Sequence, residues 1–340
     1  MSEWLQRLWY APRLMPGGWP LLPLSWIFGA VVWARRRAYR AGLLRMVSLP
    51  APVIVIGNIT VGGAGKTPLT AWVVERLRSA GLRPGIVSRG YGRTGRGLRR
   101  VTAESSADEA GDEPLMLAAR LGCPVVVGGD RVAAAKRLLA AESVDAVVCD
   151  DGLQHYRLGR DAEIAVVDGR RGLGNGLLVP AGPLRESRAR LRTVDAVVYN
   201  GGVRTGERML LEAGAARALD GERTRALRAF AGERVHAIAG IADPQRFFSM
   251  LGDLGLRVVA HAYPDHHRFR ASDVRFDDGL AVLMTEKDAV KCRPWADQRH
   301  WFIPVEATLE DGARDAVCRA LRRALAARFP RQAQMLGDGA

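Results

Sequence analysis

The residues of this chain best suited to chemistry are Thr60-Val61-Gly62-Gly63-Ala64-Gly65-Lys66-Thr67. Three glycines let the backbone turn tightly and point its N–H groups at one place, and the lysine and threonine that follow are the usual partners of a bound polyphosphate. Lys66 would reach the outer phosphates and the Thr67 hydroxyl would ligate Mg²⁺. The common pattern G-x-x-x-x-G-K-[ST] asks for glycine where this chain has Thr60. A glycine-rich turn that binds nothing has the same composition, so the flanks must decide. They read as a buried strand (PVIVI, 52–56) and a helix that carries Pro68 in its first turn, where a missing N–H costs little. A strand, turn and helix N-terminus in that order favour an anion at the turn.

A second segment supplies acid. The apolar run 144–149 leads into Asp150-Asp151-Gly152, and carboxylates at the carboxyl end of a strand in an open α/β sheet face the ligand crevice. A nucleotide-dependent phosphotransferase needs such an acid for its metal. Solvated loop carboxylates are the plainer reading of an Asp-Asp-Gly turn, and the phosphate loop upstream tips the balance. A general base must also take a proton from the acceptor hydroxyl, and carboxylates commonly do so. Asp112, in Gly111-Asp112-Glu113-Pro114, is the candidate; from the sequence alone a helix-capping role suits it about as well.

The elements that must position these groups alternate. Strands are expected at 52–56, 84–88, 124–127, 144–149, 163–168 and 194–199, with helices at 67–80, 112–121, 130–142 and 185–192. That is the pattern of a mainly parallel sheet covered by helices on both faces. Residues 201–230 lose the pattern and read as a connector. A second α/β pattern follows, with strands at 234–239, 256–262, 280–285 and 301–305, a helix at 244–254 and a closing helix at 311–329. The expected division is a membrane-associating segment (1–45), a P-loop kinase domain (46–205), a connector (206–232), a smaller α/β domain (233–310) and a C-terminal helix (311–330). A hinge between the two α/β domains would let a crevice close and exclude water.

Composition sets further bounds. The 340 residues are 48% hydrophobic, enough for a sizeable core, and the four cysteines show no metal-ligand or disulfide spacing, as expected of buried thiols in a reducing compartment. The net charge is +14, of which +6 falls in the first 50 residues, seven arginines against one acid. There, residues 19–34 (WPLLPLSWIFGAVVWA) are uncharged, and Arg35, Arg36, Arg37 and Arg40 follow. Sixteen residues with two prolines fall short of the ~20 of a comfortable span, and arginines after the apolar run, not before it, are unlike a cleavable signal. Aromatics beside arginines suit an anionic membrane interface; a short penetrating helix and a core helix are the alternatives. Residues 88–100 (SRGYGRTGRGLRR) carry five arginines and no acid and are expected to form a mobile cationic loop for an anionic substrate. No recognition-helix, zinc or RNA-binding signature accompanies the charge, so nucleic acid is not the expected partner.

The motifs at 57–68 (GNITVGGAGKTP), 88–93 (SRGYGR), 111–114 (GDEP), 150–155 (DDGLQH), 180–186 (PAGPLRE) and 284–291 (MTEKDAVK) stand in the order seen in the tetraacyldisaccharide 4'-kinases, which the chain resembles from about residue 10 to 325. The resemblance includes Thr60, which matches that family's own loop. It implies ATP and Mg²⁺ as cofactors and transfer of the γ-phosphate to the 4'-hydroxyl of a tetraacyl disaccharide 1-phosphate in lipid A biosynthesis. The expected location is the cytoplasmic face of the inner membrane. It also places a catalytic aspartate at Asp112 and suggests that His266, in Tyr263-Pro-Asp-His-His267, orients it. His155 could tune the metal carboxylates or simply pack. Thr285 to Asp288 is expected near the nucleotide or the hinge. A P-loop NTPase switch without a small-molecule acceptor is the competing class.

Overall fold

The computed structural model describes residues 3–11, 15–102, 104–202, 207–221 and 223–337. The expected boundary at 205/206 between kinase domain and connector lies outside them. Two compact units emerge: residues 1–89, 123–210 and 307–340 form the first, and 90–122 with 211–306 the second. Residues 90–122, expected in the kinase domain, therefore cluster with the later α/β segment.

In the first unit the strand Val53–Gly57 is central, pairing in parallel with Ala146–Asp150 on one side and Ala162–Asp168 on the other. Pro84–Ser88 and Val125–Val127 extend the sheet beyond the first, Ala196–Asn200 beyond the second. All five residues of Val53–Gly57 are buried, as a strand covered on both faces requires. Fully enclosed side chains such as Ile54 and Ile56 each contribute about 1.5–3 kcal/mol of burial. The register sets Ile56 beside Asp150, so the chain leaves both strands at the same edge of the sheet.

The second unit has its own sheet, with Arg257–Ala262, Arg234–Ala239, Ala281–Thr285 and His300–Ile303 parallel and Ala216–Ala218 antiparallel at the side. Its core is aromatic: Phe230, Trp301, Phe247 and Phe248 pack with Leu251, Leu256 and Leu283. The chain is thus α/β, with mainly parallel sheets and an N-terminal apolar helix.

Several local expectations change. The described residues of the stretch 201–230, expected as a connector, include strands. Arg208–Ala213 joins the first sheet through Tyr199 beside Arg208, and Ala216–Ala218 pairs with Thr224–Arg225. Pairing on both sides, Arg208–Ala213 between Ala196–Asn200 and Val305–Leu309 and Ala216–Ala218 between His300–Ile303 and Thr224–Arg225, makes strands there of a sequence poor in β-branched residues. The helix expected at 185–192 is only a 3₁₀ segment, Arg188–Thr193. Its upstream backbone is taken by the segment entering the glycine-rich loop, since Val61 N–H donates to Pro183 C=O at 2.8 Å and Arg185 N–H to Ile59 C=O at 2.7 Å. Pro304 splits the strand expected at 301–305 into His300–Ile303 and Val305–Leu309. The closing helix stops at Leu325, and Pro330–Met335 forms a further short one. Residues 88–100 are not wholly loop: Arg99–Val101 is a strand, and Arg99 pairs with Glu109 at 2.6 Å.

The N-terminal apolar residues form a 3₁₀ turn, Pro16–Leu21, and a helix, Leu22–Arg40. One face docks on the first unit. The Ser25 hydroxyl donates to Leu178 C=O at 2.8 Å and accepts from Ala181 N–H at 2.9 Å, and Gly29 lies so close to Leu178 that a Cβ would come within 2.7 Å of it. Arg36 reaches Thr193 Oγ1 at 2.7 Å. The rest is bare: Trp19, Trp26, Ile27, Val31 and Trp33 are each more than 60% exposed. Residues 16–40 are long and apolar enough to cross a membrane, and only 11% of their most apolar window is buried. A helix so exposed is not the core helix that was one reading of this segment.

Candidate active site

The glycine-rich loop joins the end of Val53–Gly57 to the helix Lys66–Ser79. Gly65 sits at the helix N-cap with φ +90, a left-handed conformation that strains any side chain, and a Cβ there would come within 2.5 Å of Asn200 Nδ2. Asn200 in turn donates to Ala64 C=O at 3.2 Å. Asn58 steadies the other limb by donating to Gly62 C=O at 3.1 Å. Thr60 is buried and bridges Leu184. Only Gly62 and Gly63 stand well exposed, so the loop is half-buried and braced by residues 183–185 and 200.

Lys66 Nζ lies 3.6 Å from Asp151 Oδ1, and Arg185 Nη1 lies 3.4 Å from Asp151 Oδ2. Asp151 has φ +51, a turn that brings its carboxylate back toward the helix start, and short polar residues tolerate it best. Burial opposes its charge, but Lys66, Arg185 and Arg131 overcome that and hold its pKa below the ordinary aspartate value. Asp150 is fully buried, and Thr70 Oγ1 donates to its Oδ1 at 3.1 Å. Asp150 thereby fastens the helix of the loop to the neighbouring strand. Thr67 is buried in the first turn of that helix. His155 has its pKa pushed down to about 4, by burial and then by Arg131 and other nearby arginines. It is a neutral histidine at neutral pH.

The second unit holds a separate cluster around Asp112, the first residue of the helix Asp112–Leu121. Gly111 before it has φ +89 and passes Tyr91 C=O so closely that a Cβ would come within 2.8 Å. His266 Nδ1 lies 3.1 Å from Asp112 Oδ2, brought there by φ +62, uncommon for a side-chain-bearing residue. The Tyr91 ring lies 5.1 Å from the imidazole. Burial works against the Asp112 charge; the His266 hydrogen bond and the Lys291 and Lys287 ammonium groups outweigh it and lower its pKa.

Each expected site residue falls in one of these two clusters. Thr60, Val61, Gly62, Gly63, Ala64, Gly65, Lys66 and Thr67 form the loop with Asp150 and Asp151 beside it; Asp112 and His266 meet in the second unit. Thr285–Asp288 lies in that second cluster: Lys287 Nζ is 2.8 Å from Asp265 and 3.5 Å from His266 Nε2. The sequence reading gave no role to Arg185, Asn200 or Lys291. Arg185 stands in the 180–186 motif and Lys291 one helical turn after Asp288, but nothing in their spacing reveals what they touch.

A family model described as Tetraacyldisaccharide-1-P 4'-kinase matches residues 18–323. The chain is 51% identical over 333 residues to "Tetraacyldisaccharide 4'-kinase" of Alkalilimnicola ehrlichii, covering 95% of this chain and 98% of that protein. It is also 51% identical over 312 residues to the protein so named from Azoarcus sp., covering 89% and 91%. A crystal structure of LpxK from Aquifex aeolicus, described as an "apo" form in complex with ATP, matches with a TM-score of 0.77 and 30% identity, covering 89% of this chain and 98% of that one. With the motifs in place and the match running nearly end to end, the chain belongs to the tetraacyldisaccharide-1-P 4'-kinase family.

Proposed function

We infer that this chain transfers the γ-phosphate of ATP to the 4'-hydroxyl of a tetraacyl disaccharide 1-phosphate, the kinase step of lipid A biosynthesis. The observation that carries the reading is the braced phosphate loop ending at Lys66, with Asp151 3.6 Å from its ammonium group. Phosphoryl transfer has little covalent chemistry for a protein to do; catalysis is positioning and charge stabilisation. The loop N–H groups and Lys66 clamp the phosphates. Asp112 accepts the proton of the sugar hydroxyl as its oxygen bonds to the γ-phosphorus and the bond to ADP breaks, and His266 holds the Asp112 carboxylate in place.

Among the described residues no group of three or more His, Cys, Asp or Glu forms a ready-made metal site. Mg²⁺ asks for less: one or two carboxylates, with phosphates and water completing its shell. Thr67, Asp150 and Asp151 are hard oxygen donors of that kind and would hold it. Bound there, the ion would neutralise charge on the transferring phosphoryl group.

The bare face of Leu22–Arg40 supports a site on the cytoplasmic face of the inner membrane, where the acylated substrate resides. Its tryptophans and aliphatic residues would enter the interface, and Arg35, Arg37 and Arg40 would meet anionic headgroups. The wild-type chain is expected to co-sediment with vesicles containing phosphatidylglycerol. Neutralising Arg35, Arg36, Arg37 and Arg40 together is expected to weaken binding by about 1 kcal/mol for each charge that reaches the surface. Binding indifferent to both this change and salt would assign it to apolar insertion alone.

The direct test is transfer of radiolabel from γ-labelled ATP to a tetraacyl disaccharide 1-phosphate in detergent micelles, expected to be Mg²⁺-dependent. Hydrolysis of ATP with no labelled lipid would favour the NTPase switch instead.

A further inference from the structure

Behind Asp112 lies a second buried ion pair that the reaction as described does not use. Lys291 is almost wholly enclosed, its side chain 7% exposed, and its ammonium lies 2.8 Å from Asp288 Oδ1 and 3.4 Å from Asp112 Oδ2. The ring of Phe269 covers it at 4.9 Å. Asp288 is itself fully buried and fixed from other sides. Its Oδ2 accepts from Gly240 N–H at 2.8 Å and from the Thr285 hydroxyl at 2.6 Å. A carboxylate so anchored cannot follow Lys291; it holds the ammonium in place against Asp112. Both His266 and Lys291 approach the same Asp112 oxygen, Oδ2, which leaves Oδ1 clear of both.

We infer that Lys291, anchored by Asp288, is a positioning residue for the phosphoryl transfer: it fixes the Asp112 carboxylate through Oδ2 and so presents Oδ1 to the sugar hydroxyl. The inference rests on Asp112 being the base. The other charged and titratable groups around Asp112 do not hold it as Lys291 does. Lys287 adds a smaller electrostatic pull than Lys291 while paired with Asp265 beside His266. Glu113 is a neighbouring acid on the same helix, and the Tyr91 ring is tilted against His266. Asp108 and Glu109 of the preceding turn pair with Arg268 and Arg99, and Glu286 with Arg120.

The sign is fixed by electrostatics. A cation beside a carboxylate lowers its pKa, and burial raises it; without Lys291 one of the cations that offset burial is gone, and Asp112 takes up its proton at higher pH than in the wild type. The test is kcat of the full-length protein against pH for Lys291→Met, Lys291→Arg and Lys291→Met/Asp288→Asn. The double variant is needed because Lys291→Met alone leaves Asp288 buried and uncompensated, a change that can unfold a protein. In the double variant kcat is expected to fall below wild type already at pH 8, where only positioning is lost, and the ratio to wild type to drop by about a further threefold from pH 8 to pH 5. The KM for ATP should be unchanged, and Lys291→Arg should restore a flat ratio. A folded double variant whose ratio is low but constant with pH would overturn the inference, since that is what a purely structural role predicts. Asp112→Asn is assayed alongside. If it retains turnover, the base assignment has failed and this inference with it; if it is inactive while the double variant's ratio stays flat, only the role of Lys291 has failed.

Discussion

Lys66→Ala is expected to reduce turnover by about 10³-fold or more, because a single cation aimed at the developing phosphoryl charge carries a large share of such a barrier. The protein should still fold. Lys66 is largely enclosed, but its partner Asp151 keeps Arg185 at 3.4 Å, so the deletion does not strand a buried carboxylate. The thermal transition checks the fold and the radiolabel assay checks the rate. A folded Lys66→Ala protein with near-normal kinase activity would remove the loop from the phosphate-binding role. Gly65→Ala should fail in another way. With φ +90 and Asn200 within 2.5 Å of the added carbon, the loop itself must shift, and ATP binding should weaken along with turnover.

Asp112→Asn is expected to leave ATP affinity intact and lower kcat by about 10²–10⁴-fold, the usual contribution of a positioned base. Asn preserves shape and removes the proton acceptor. Loss of activity alone does not identify a base, because Asp150 and Asp151 are carboxylates proposed to hold Mg²⁺ for the same reaction. Their Asn variants should instead raise the Mg²⁺ requirement and recover partly in excess metal. Rescue of Asp112→Asn by metal would move Asp112 into the ion's shell. His266→Ala should be a milder Asp112→Asn, and the double variant little worse than Asp112→Asn, since the 3.1 Å contact makes the two one unit. Multiplicative losses would place His266 on the substrate instead. The pH dependence has a definite sign. The Asp112 pKa lies below the ordinary aspartate value, so the ionised, active base is present above that pKa and lost only as pH falls through it. Acid loss of kcat from this group is therefore expected only under strongly acidic conditions.

What the sequence determined by itself is local. Glycines, lysine and threonine in register, with an apolar run before and a helix-forming run after that carries Pro68 in its first turn, specify strand, loop and helix because each signal acts over a few residues. The same holds for the strand into Asp150 and for Arg234–Ala239, which was legible to the residue. Such signals thinned where the neighbours decide. Residues 208–213 became a strand only by pairing between two distant segments, and 185–192 failed as a helix because its upstream backbone hydrogen bonds went to the glycine-rich loop. The surroundings of Asp112 were the least legible part. Asp112 and His266 are 154 positions apart, Asp112 and Lys291 further, and no periodicity links them. Their meeting depends on residues 90–122 folding with 211–306, on the left-handed turn at His266 and on the buried anchor at Asp288. The sequence named the acid, and the tertiary structure decided which cations surround it, because burial and charge at a few ångströms exist only once the chain has folded.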